Sequence, residues 1–142
     1  MAHASEKRIL VVDDEPDVRN FLAAFLEDAG FNVDTAADGV DALEKLEQNP
    51  PDLMTLDMVM PRLSGVKVIR KMRQNERWAD LPVIIITAHA HDQLGSEDIK
   101  GFYTMTSGLR PRITLDKPIS PGKLVKAISE ILGVEWIHPI TI

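Results

Sequence analysis

The stretch Ile9-Leu10-Val11-Val12-Asp13-Asp14-Glu15-Pro16 joins an apolar run to three acidic residues and a proline. The aliphatic and β-branched residues predict a buried strand over 9–12, which the acidic residues directly follow. Short runs of this kind recur along the chain. They are Ile9–Val12, Phe31–Thr35, Leu53–Leu56, Val83–Ile86 and Ile113–Leu115.

Helical spacing lies between these runs. Apolar residues at i, i+3, i+4 and i+7 predict a first helix with one apolar stripe. That stripe consists of Val18, Phe21, Leu22, Phe25, Leu26 and Ala29. Asp38, Ser64 and Ser120 stand where the N-caps of three further helices are expected. Gly30 and Gly133 follow the first and last helical patterns, where a left-handed residue ends a helix.

A strand followed by a helical segment, repeated five times, predicts an α/β fold with a doubly wound parallel sheet. The runs at 9–12, 53–56 and 83–86 are apolar on both faces, as strands covered by helices on both sides must be. The run at 31–35 alternates polar and apolar residues, which predicts an edge strand. A fourth helix is expected within residues 88–112, over about Ser96–Thr104.

Composition narrows the classes of function. The chain has 142 residues and a net charge of −6. It has no cysteine, and this excludes disulfides, thiol catalysis and cysteine-bound zinc. Residues 1–71 hold eight Lys and Arg against fourteen Asp and Glu, so this half carries the whole negative charge. Direct nucleic-acid binding through a basic face is therefore not expected. No apolar run reaches the length of a membrane span and no signal peptide is recognisable, so a cytoplasmic location is expected.

The expected organisation is one domain with short flanks. Residues 1–6 are expected to be a disordered leader, residues 7–133 to form the domain, and residues 134–142 to be an apolar tail. This tail contains Trp136, Ile137, Ile140 and Ile142 and is expected to fold back or to meet a partner. A severed, solvated linker is the alternative.

Chemically useful residues follow four of the predicted strands. Their positions are Asp13-Asp14-Glu15, Asp57, Thr87-Ala88 and Asp116-Lys117-Pro118. In an open α/β sheet, ligands bind beyond the carboxyl ends of the strands, so we expect these side chains to meet in one crevice. Clustered carboxylates favour a hard cation such as Mg²⁺, and a carboxylate nucleophile beside it can accept a phosphoryl group. Taken singly, each residue also has a simple structural explanation as a cap, a strand end or a surface charge.

These motifs resemble the receiver domain of response regulators in two-component signalling. The resemblance covers about residues 7–132. It rests on Ile9–Pro16, on Leu56-Asp57-Met58-Val59-Met60-Pro61 with Gly65, on Ile86-Thr87-Ala88 and on Lys117-Pro118. Such domains have a flavodoxin-like fold with five parallel strands in the order 2-1-3-4-5.

The resemblance implies a role for each site residue. Asp57 would be the phosphoacceptor, Thr87 the switch hydroxyl and Lys117 the phosphate contact. Mg²⁺ would be bound directly by Asp14, Asp57 and the backbone carbonyl of Val59, with Asp13 acting through water. The implied partners are a sensor histidine kinase or phosphotransfer protein and a downstream protein target, with a homodimer as one option and no direct contact with nucleic acid or membrane.

Two features depart from the family pattern. Thr114 stands three residues before Lys117, where an aromatic residue is usual, and the spacing from Thr87 to Lys117 is longer than usual. We expect Phe102 and Tyr103, within residues 88–112, to replace the missing aromatic residue. Phosphorylation is then expected to reorder residues 88–112 as the output of the switch.

Two other classes of protein share part of this pattern. Phosphatases of the haloacid-dehalogenase type also use an aspartate nucleophile with Mg²⁺, but they place that nucleophile after the first strand in an Asp-x-Asp motif. A pseudo-receiver would keep the fold as a scaffold without being phosphorylated. We favour the receiver because the chain has the full set of acids together with Thr87 and Lys117. A receiver is not expected to be an enzyme, apart from catalysing its own phosphorylation and dephosphorylation.

Overall fold

Apolar runs form the strands of a parallel sheet, as their composition predicts. The structure, a computed structural model, describes residues 2–57, 64–87, 113–116 and 119–136. The strands in this part of the chain are β1 (Ala2–His3), β2 (Arg8–Val12), β3 (Asn32–Ala36), β4 (Leu53–Asp57), β5 (Val83–Thr87), β6 (Ile113–Asp116) and β7 (Val134–Glu135). The helices are α1 (Pro16–Asp28), α2 (Gly39–Gln48), α3 (Gly65–Arg73) and α4 (Pro121–Leu132), with a 3₁₀ turn over Ala4–Glu6.

Five of these strands form one parallel sheet in the order β3-β2-β4-β5-β6. Counted from β2, this is the predicted order 2-1-3-4-5. The alternating strand β3 lies at the edge, and its residues before Ala36 are only partly buried or exposed. The predictions of a doubly wound sheet and of this edge strand are therefore confirmed.

Two apolar layers cover the two faces of the sheet. On one face Leu10 and Val12 belong to a core completed by side chains of α2 and α3, such as Leu46 and Met72. On the other face Ile9 and Val11 belong to a core completed by α1 and α4. Helices on both faces explain why β2, β4 and β5 read as continuous apolar runs.

Local capping sets the helix boundaries. The Asp38 carboxylate accepts a hydrogen bond from the Asp41 N–H at 2.8 Å, and the Ser120 hydroxyl accepts one from the Lys123 N–H at 3.5 Å. Ser64 is the N-cap of α3, as predicted, but its side chain makes no capping hydrogen bond. Gly133 ends α4 with φ of 66°, a conformation that costs a residue with a Cβ atom roughly 1 kcal/mol or more.

One arginine secures the loop between α3 and β5. The Arg73 Nη1 donates to the carbonyl oxygens of Trp78, Ala79 and Leu81 at 3.1, 2.6 and 3.2 Å. Burial lowers the pKa of Arg73, and nearby Asp80 acts in the opposite direction. The arginine thereby fixes the path of the chain as it enters β5.

The N-terminal leader differs from the expectation of disorder. Ala2–His3 pairs in parallel with Val134–Glu135, and residues 4–6 form a 3₁₀ turn whose first residue, Ala4, is buried. The expectation of a disordered leader is therefore wrong for residues 2–6. Residues 2–3 pair with Val134–Glu135, which lie far away in the sequence. A local sequence pattern does not reveal such a pairing.

The start of the C-terminal tail packs on the domain. Val134 is buried, and Trp136 lies against the core beneath α1 and α4. Residues 134–136 therefore pack against the domain, and folding back of the whole tail stays a prediction. Residues 137–142 lie outside the described part of the chain, as does the predicted helix at Ser96–Thr104.

The apolar stripe of α1 is narrower than its spacing suggests. Leu22 and Leu26 are buried, whereas Phe21 is 55% exposed, and its ring lies beside that of Phe25 with the ring centroids 6.5 Å apart. Phe21 therefore does not belong to the core. Within the described ranges no helix combines the length and the apolar character that a membrane span requires.

Candidate functional site

Three aspartates meet at the carboxyl end of the sheet. Asp57 is the last residue of β4, and Asp13 directly follows β2, whose Val12 lies opposite Leu56. Parallel pairing of neighbouring strands therefore brings the two side chains to one edge. One carboxylate oxygen from each of Asp13, Asp14 and Asp57 lies within 4.8 Å of the others. The three aspartates therefore form one acidic cluster at this edge of the sheet.

Backbone contacts hold Asp13 in place. Its N–H donates to the Ala36 carbonyl at 3.1 Å, and its Oδ1 accepts a hydrogen bond from the Glu15 N–H at 2.9 Å. The Arg19 Nη1 donates to the Asp13 carbonyl oxygen at 2.9 Å. Hydrogen bonds therefore connect the turn between β2 and α1 both to β3 and to the first turns of α1.

The carboxylates differ in their exposure to solvent. Asp13 is 1% exposed and Asp57 is 5% exposed, whereas Asp14 is the most exposed of the three. Two like charges about 5 Å apart repel each other by roughly 3 kcal/mol at an effective dielectric constant of about 20. Bringing these groups together therefore carries an electrostatic cost, which a cation between them would offset.

The donor set fits Mg²⁺. Carboxylate oxygens are hard ligands, and magnesium sites commonly use one or two carboxylates together with water. Asp14 and Asp57 offer such oxygens at a spacing that one ion can bridge, with Asp13 beside them. The predicted Val59 carbonyl lies outside the described residues.

The backbone of Thr87 lies at the same edge of the sheet. It is the last residue of β5, one position beyond Ile86, which lies opposite Asp57. On the other side Thr87 lies opposite Asp116, the last residue of β6. Lys117 follows Asp116 in sequence but lies outside the part of the chain that the structure describes.

Sequence reasoning missed the contribution of Arg19. This residue belongs to the polar positions of α1, where a surface charge is the simplest interpretation. In the structure its guanidinium reaches back to the Asp13 carbonyl. An arginine six residues after a strand-ending acid is the only local signal, and it is a weak one.

Comparison with known protein families gives a match over most of the chain. The family described as response regulator receiver domain matches residues 9–129. The response regulator Rre1 of Synechocystis is 35% identical over 126 residues, which cover 88% of this chain and 51% of Rre1. The chain spans about half the length of the first curated relatives that it matches.

Solved structures agree with the sequence comparison. The chemotaxis response regulator CheY4 of Vibrio cholerae has a TM-score of 0.75 and 27% identity, covering 88% of this chain and 98% of that one. The receiver domain of the sensor histidine kinase PA1611 of Pseudomonas aeruginosa has a TM-score of 0.77 and 25% identity, covering 89% and 98%. That crystal structure has a magnesium ion coordinated in its active-site cleft.

Proposed function

Because this chain belongs to the response regulator receiver domain family, a family of phosphorylation-dependent signalling switches, we propose that Asp57 is its phosphoacceptor. The observation that carries the assignment is the position of Asp57. It ends a central strand, is 5% exposed, and has a carboxylate oxygen within 4.8 Å of oxygens from two other acids. Asp13 and Asp14 follow β2, the strand that pairs with β4.

In the proposed reaction, a carboxylate oxygen of Asp57 attacks the phosphorus atom of a phosphodonor. A bond between oxygen and phosphorus forms as the bond from phosphorus to the leaving group breaks, and the product is an aspartyl phosphate. Bound Mg²⁺ would neutralise negative charge on the phosphoryl oxygens. Asp14, Asp57 and the Val59 carbonyl would hold the ion directly, and Asp13 would act through water.

Two further residues complete the proposed site. The Thr87 hydroxyl would donate a hydrogen bond to a phosphoryl oxygen that is present only after transfer, and the Lys117 ammonium would contact another. The backbone position of Thr87 beside the β4 edge supports its part. For Lys117 the support is its place directly after β6 and the family pattern.

The partners follow from this chemistry. Receiver domains of response regulators interact with histidine kinases or phosphotransfer proteins, and we propose such a protein, acting in the cytoplasm, as the phosphodonor. The output would be a changed surface that binds a downstream protein. The family match and the signalling relatives favour this switch over a haloacid-dehalogenase phosphatase.

Intact mass spectrometry tests the assignment. The protein is incubated with Mg²⁺ and a small phosphodonor such as acetyl phosphate, and one added phosphate per chain is expected. The Asp57→Asn variant should gain none, because an amide is not a nucleophile for this transfer. Asp52→Asn is the matched control, since Asp52 precedes the opposite end of the same strand and accepts a hydrogen bond from the Arg8 N–H at 2.8 Å.

The control variant should be phosphorylated like the original protein. Full incorporation into Asp57→Asn would overturn the choice of residue. Absence of phosphate from the original protein would instead favour the pseudo-receiver, and continuous consumption of the donor would favour a phosphatase.

A further inference from the structure

Arg19 lies beside the acidic cluster without being one of its acids. It belongs to the start of α1, where its backbone N–H donates to the Glu15 carbonyl oxygen at 2.9 Å. Its partly buried side chain turns back toward the end of β2, and the Nη1 donates to the Asp13 carbonyl oxygen at 2.9 Å. These two contacts fix the guanidinium relative to the turn between β2 and α1.

The acceptor of this hydrogen bond is the peptide unit that joins Asp13 to Asp14. Because a peptide unit is planar, the direction of its C=O also sets the direction of the Asp14 N–H and the position of the Asp14 Cα atom. The Asp14 side chain starts from that Cα atom. A hydrogen bond from Arg19 to this carbonyl therefore restricts where the Asp14 carboxylate can lie.

The two neighbouring aspartates differ in their other restraints. The Asp13 N–H donates to the Ala36 carbonyl, the Asp13 Oδ1 accepts from the Glu15 N–H, and Asp13 is 1% exposed. Asp14 is the most exposed acid of the cluster, so packing restrains its side chain least. The orientation of its backbone, to which Arg19 contributes, is thus the main restraint on the Asp14 carboxylate.

The charge of Arg19 has the opposite effect on a bound cation. A guanidinium carries a positive charge, which repels a divalent cation held by the nearby carboxylates. If charge were the only contribution, removal of Arg19 would raise the affinity for every cation. If the arginine positions Asp14, its removal lowers the affinity for an ion that requires exact geometry. The sign of the change therefore separates the two effects.

We propose that Arg19 is a positioning residue, which holds the Asp13–Asp14 peptide so that the site favours Mg²⁺ over a larger cation. Mg²⁺ requires nearly ideal octahedral geometry at about 2.0–2.1 Å, whereas Ca²⁺ accepts irregular geometry at about 2.3–2.6 Å. A fixed Asp14 carboxylate therefore benefits the smaller ion more. This inference rests on the proposed function, because it concerns the same acidic cluster.

Isothermal titration calorimetry with Mg²⁺ alone and with Ca²⁺ alone tests the role of Arg19. Arg19→Met and Arg19→Gln both remove the charge and the donor that reaches Asp13, and two variants are used in case one does not fold. Arg77→Met is the matched control. It also removes one positive charge, but from an exposed ion pair with Glu47 at 2.8 Å in the loop that leads to β5. Circular dichroism confirms that each variant is folded.

The affinity of either folded Arg19 variant for Mg²⁺ should fall by about ten-fold, the size of effect typical of residues that orient a metal ligand. Its affinity for Ca²⁺ should fall by less than about three-fold, because Ca²⁺ tolerates irregular geometry. The control should bind both ions within about two-fold of the original protein, since exposed distant charges are screened. Unchanged or higher Mg²⁺ affinity in the Arg19 variants, or equal losses for the two ions, would overturn the proposal.

The rate of phosphorylation by acetyl phosphate separates this inference from the proposed function. In Arg19→Met the Mg²⁺ concentration that gives the half-maximal rate should rise about ten-fold, while the maximal rate should stay within about three-fold of the original. An unchanged half-maximal concentration would overturn the inference and leave Asp57 as the phosphoacceptor. Absence of phosphate from the original protein would contradict the proposed function, and the calorimetry would still decide the role of Arg19.

Discussion

At the carboxyl end of the sheet three carboxylates lie within 4.8 Å of one another, whereas at the amino end two short strands pair beside buried apolar residues. The first region brings together carboxylates that repel one another, whereas the second buries apolar side chains away from water. These carboxylate oxygens could hold a cation, and the second region joins Ala2–His3 to Val134–Glu135. The comparison indicates that the acidic cluster and the pairing of the two short strands lie at opposite ends of the domain.

The largest expected effect concerns Mg²⁺ binding at the carboxyl end. Asp14→Ala removes one of two proposed direct carboxylate ligands, and the affinity for Mg²⁺ should fall by about 100-fold, which corresponds to roughly 2.7 kcal/mol. Isothermal titration calorimetry on the folded protein measures this change. Asp17→Ala, an exposed acid in the first turn of α1, is the control and should bind the ion nearly as the original protein does.

A smaller loss is expected from the amino end. Val134→Ala removes two methyl groups from a buried residue and should lower the free energy of unfolding by about 1–2 kcal/mol. Urea denaturation monitored by circular dichroism measures the difference. Glu135→Ala, its exposed neighbour in β7, should change the stability by less than about 0.5 kcal/mol. Equal losses in both variants would show that this strand gains no stability from apolar burial.

Urea denaturation in the absence of Mg²⁺ tests the repulsion at the carboxyl end of the sheet, where the Asp14→Asn variant has one negative charge fewer. Asp14→Asn relieves part of the repulsion among the three aspartates, so the free energy of unfolding should rise by about 0.5–1 kcal/mol. Saturating Mg²⁺ should reverse the order, since the original protein then gains more from the bound ion. A variant that is less stable in both conditions would mean that repulsion does not dominate this cluster.

The smallest effect is expected between the two ends, at Thr55 in the middle of β4. This residue is fully buried, and its hydroxyl makes no hydrogen bond in the described structure. Thr55→Val keeps the shape and removes the unsatisfied hydroxyl, so the stability should stay equal or rise by up to about 1 kcal/mol. Thr55→Ala leaves a cavity instead and should be destabilising. A clear loss in the valine variant would show that the hydroxyl has a partner.

Most of the carboxyl end could be predicted from the sequence. Buried strands produce continuous apolar runs, so Asp13 and Asp57 stand out as the polar residues that follow them. The cap at Asp38 and the helix end at Gly133 are local signals of the same kind, and the structure confirms both. Such features depend on short stretches of sequence and on a regular period.

The amino end could not be predicted in this way. β1 and β7 have two residues each, too few for a periodic pattern, and they come from opposite ends of the chain. The exposure of Phe21 was missed for a related reason. Its spacing matches the apolar stripe of α1, but the width of that stripe depends on the neighbouring elements rather than on the helix itself.

Chemical mapping of the phosphorylated residue tests the central claim most directly. Borohydride reduces an aspartyl phosphate to homoserine, and peptide mass spectrometry then identifies the modified position. After treatment with acetyl phosphate and Mg²⁺, we predict homoserine at position 57 and at no other aspartate. Homoserine at position 13 or 14, or a phosphate that resists borohydride, would contradict the assignment of Asp57 as the phosphoacceptor.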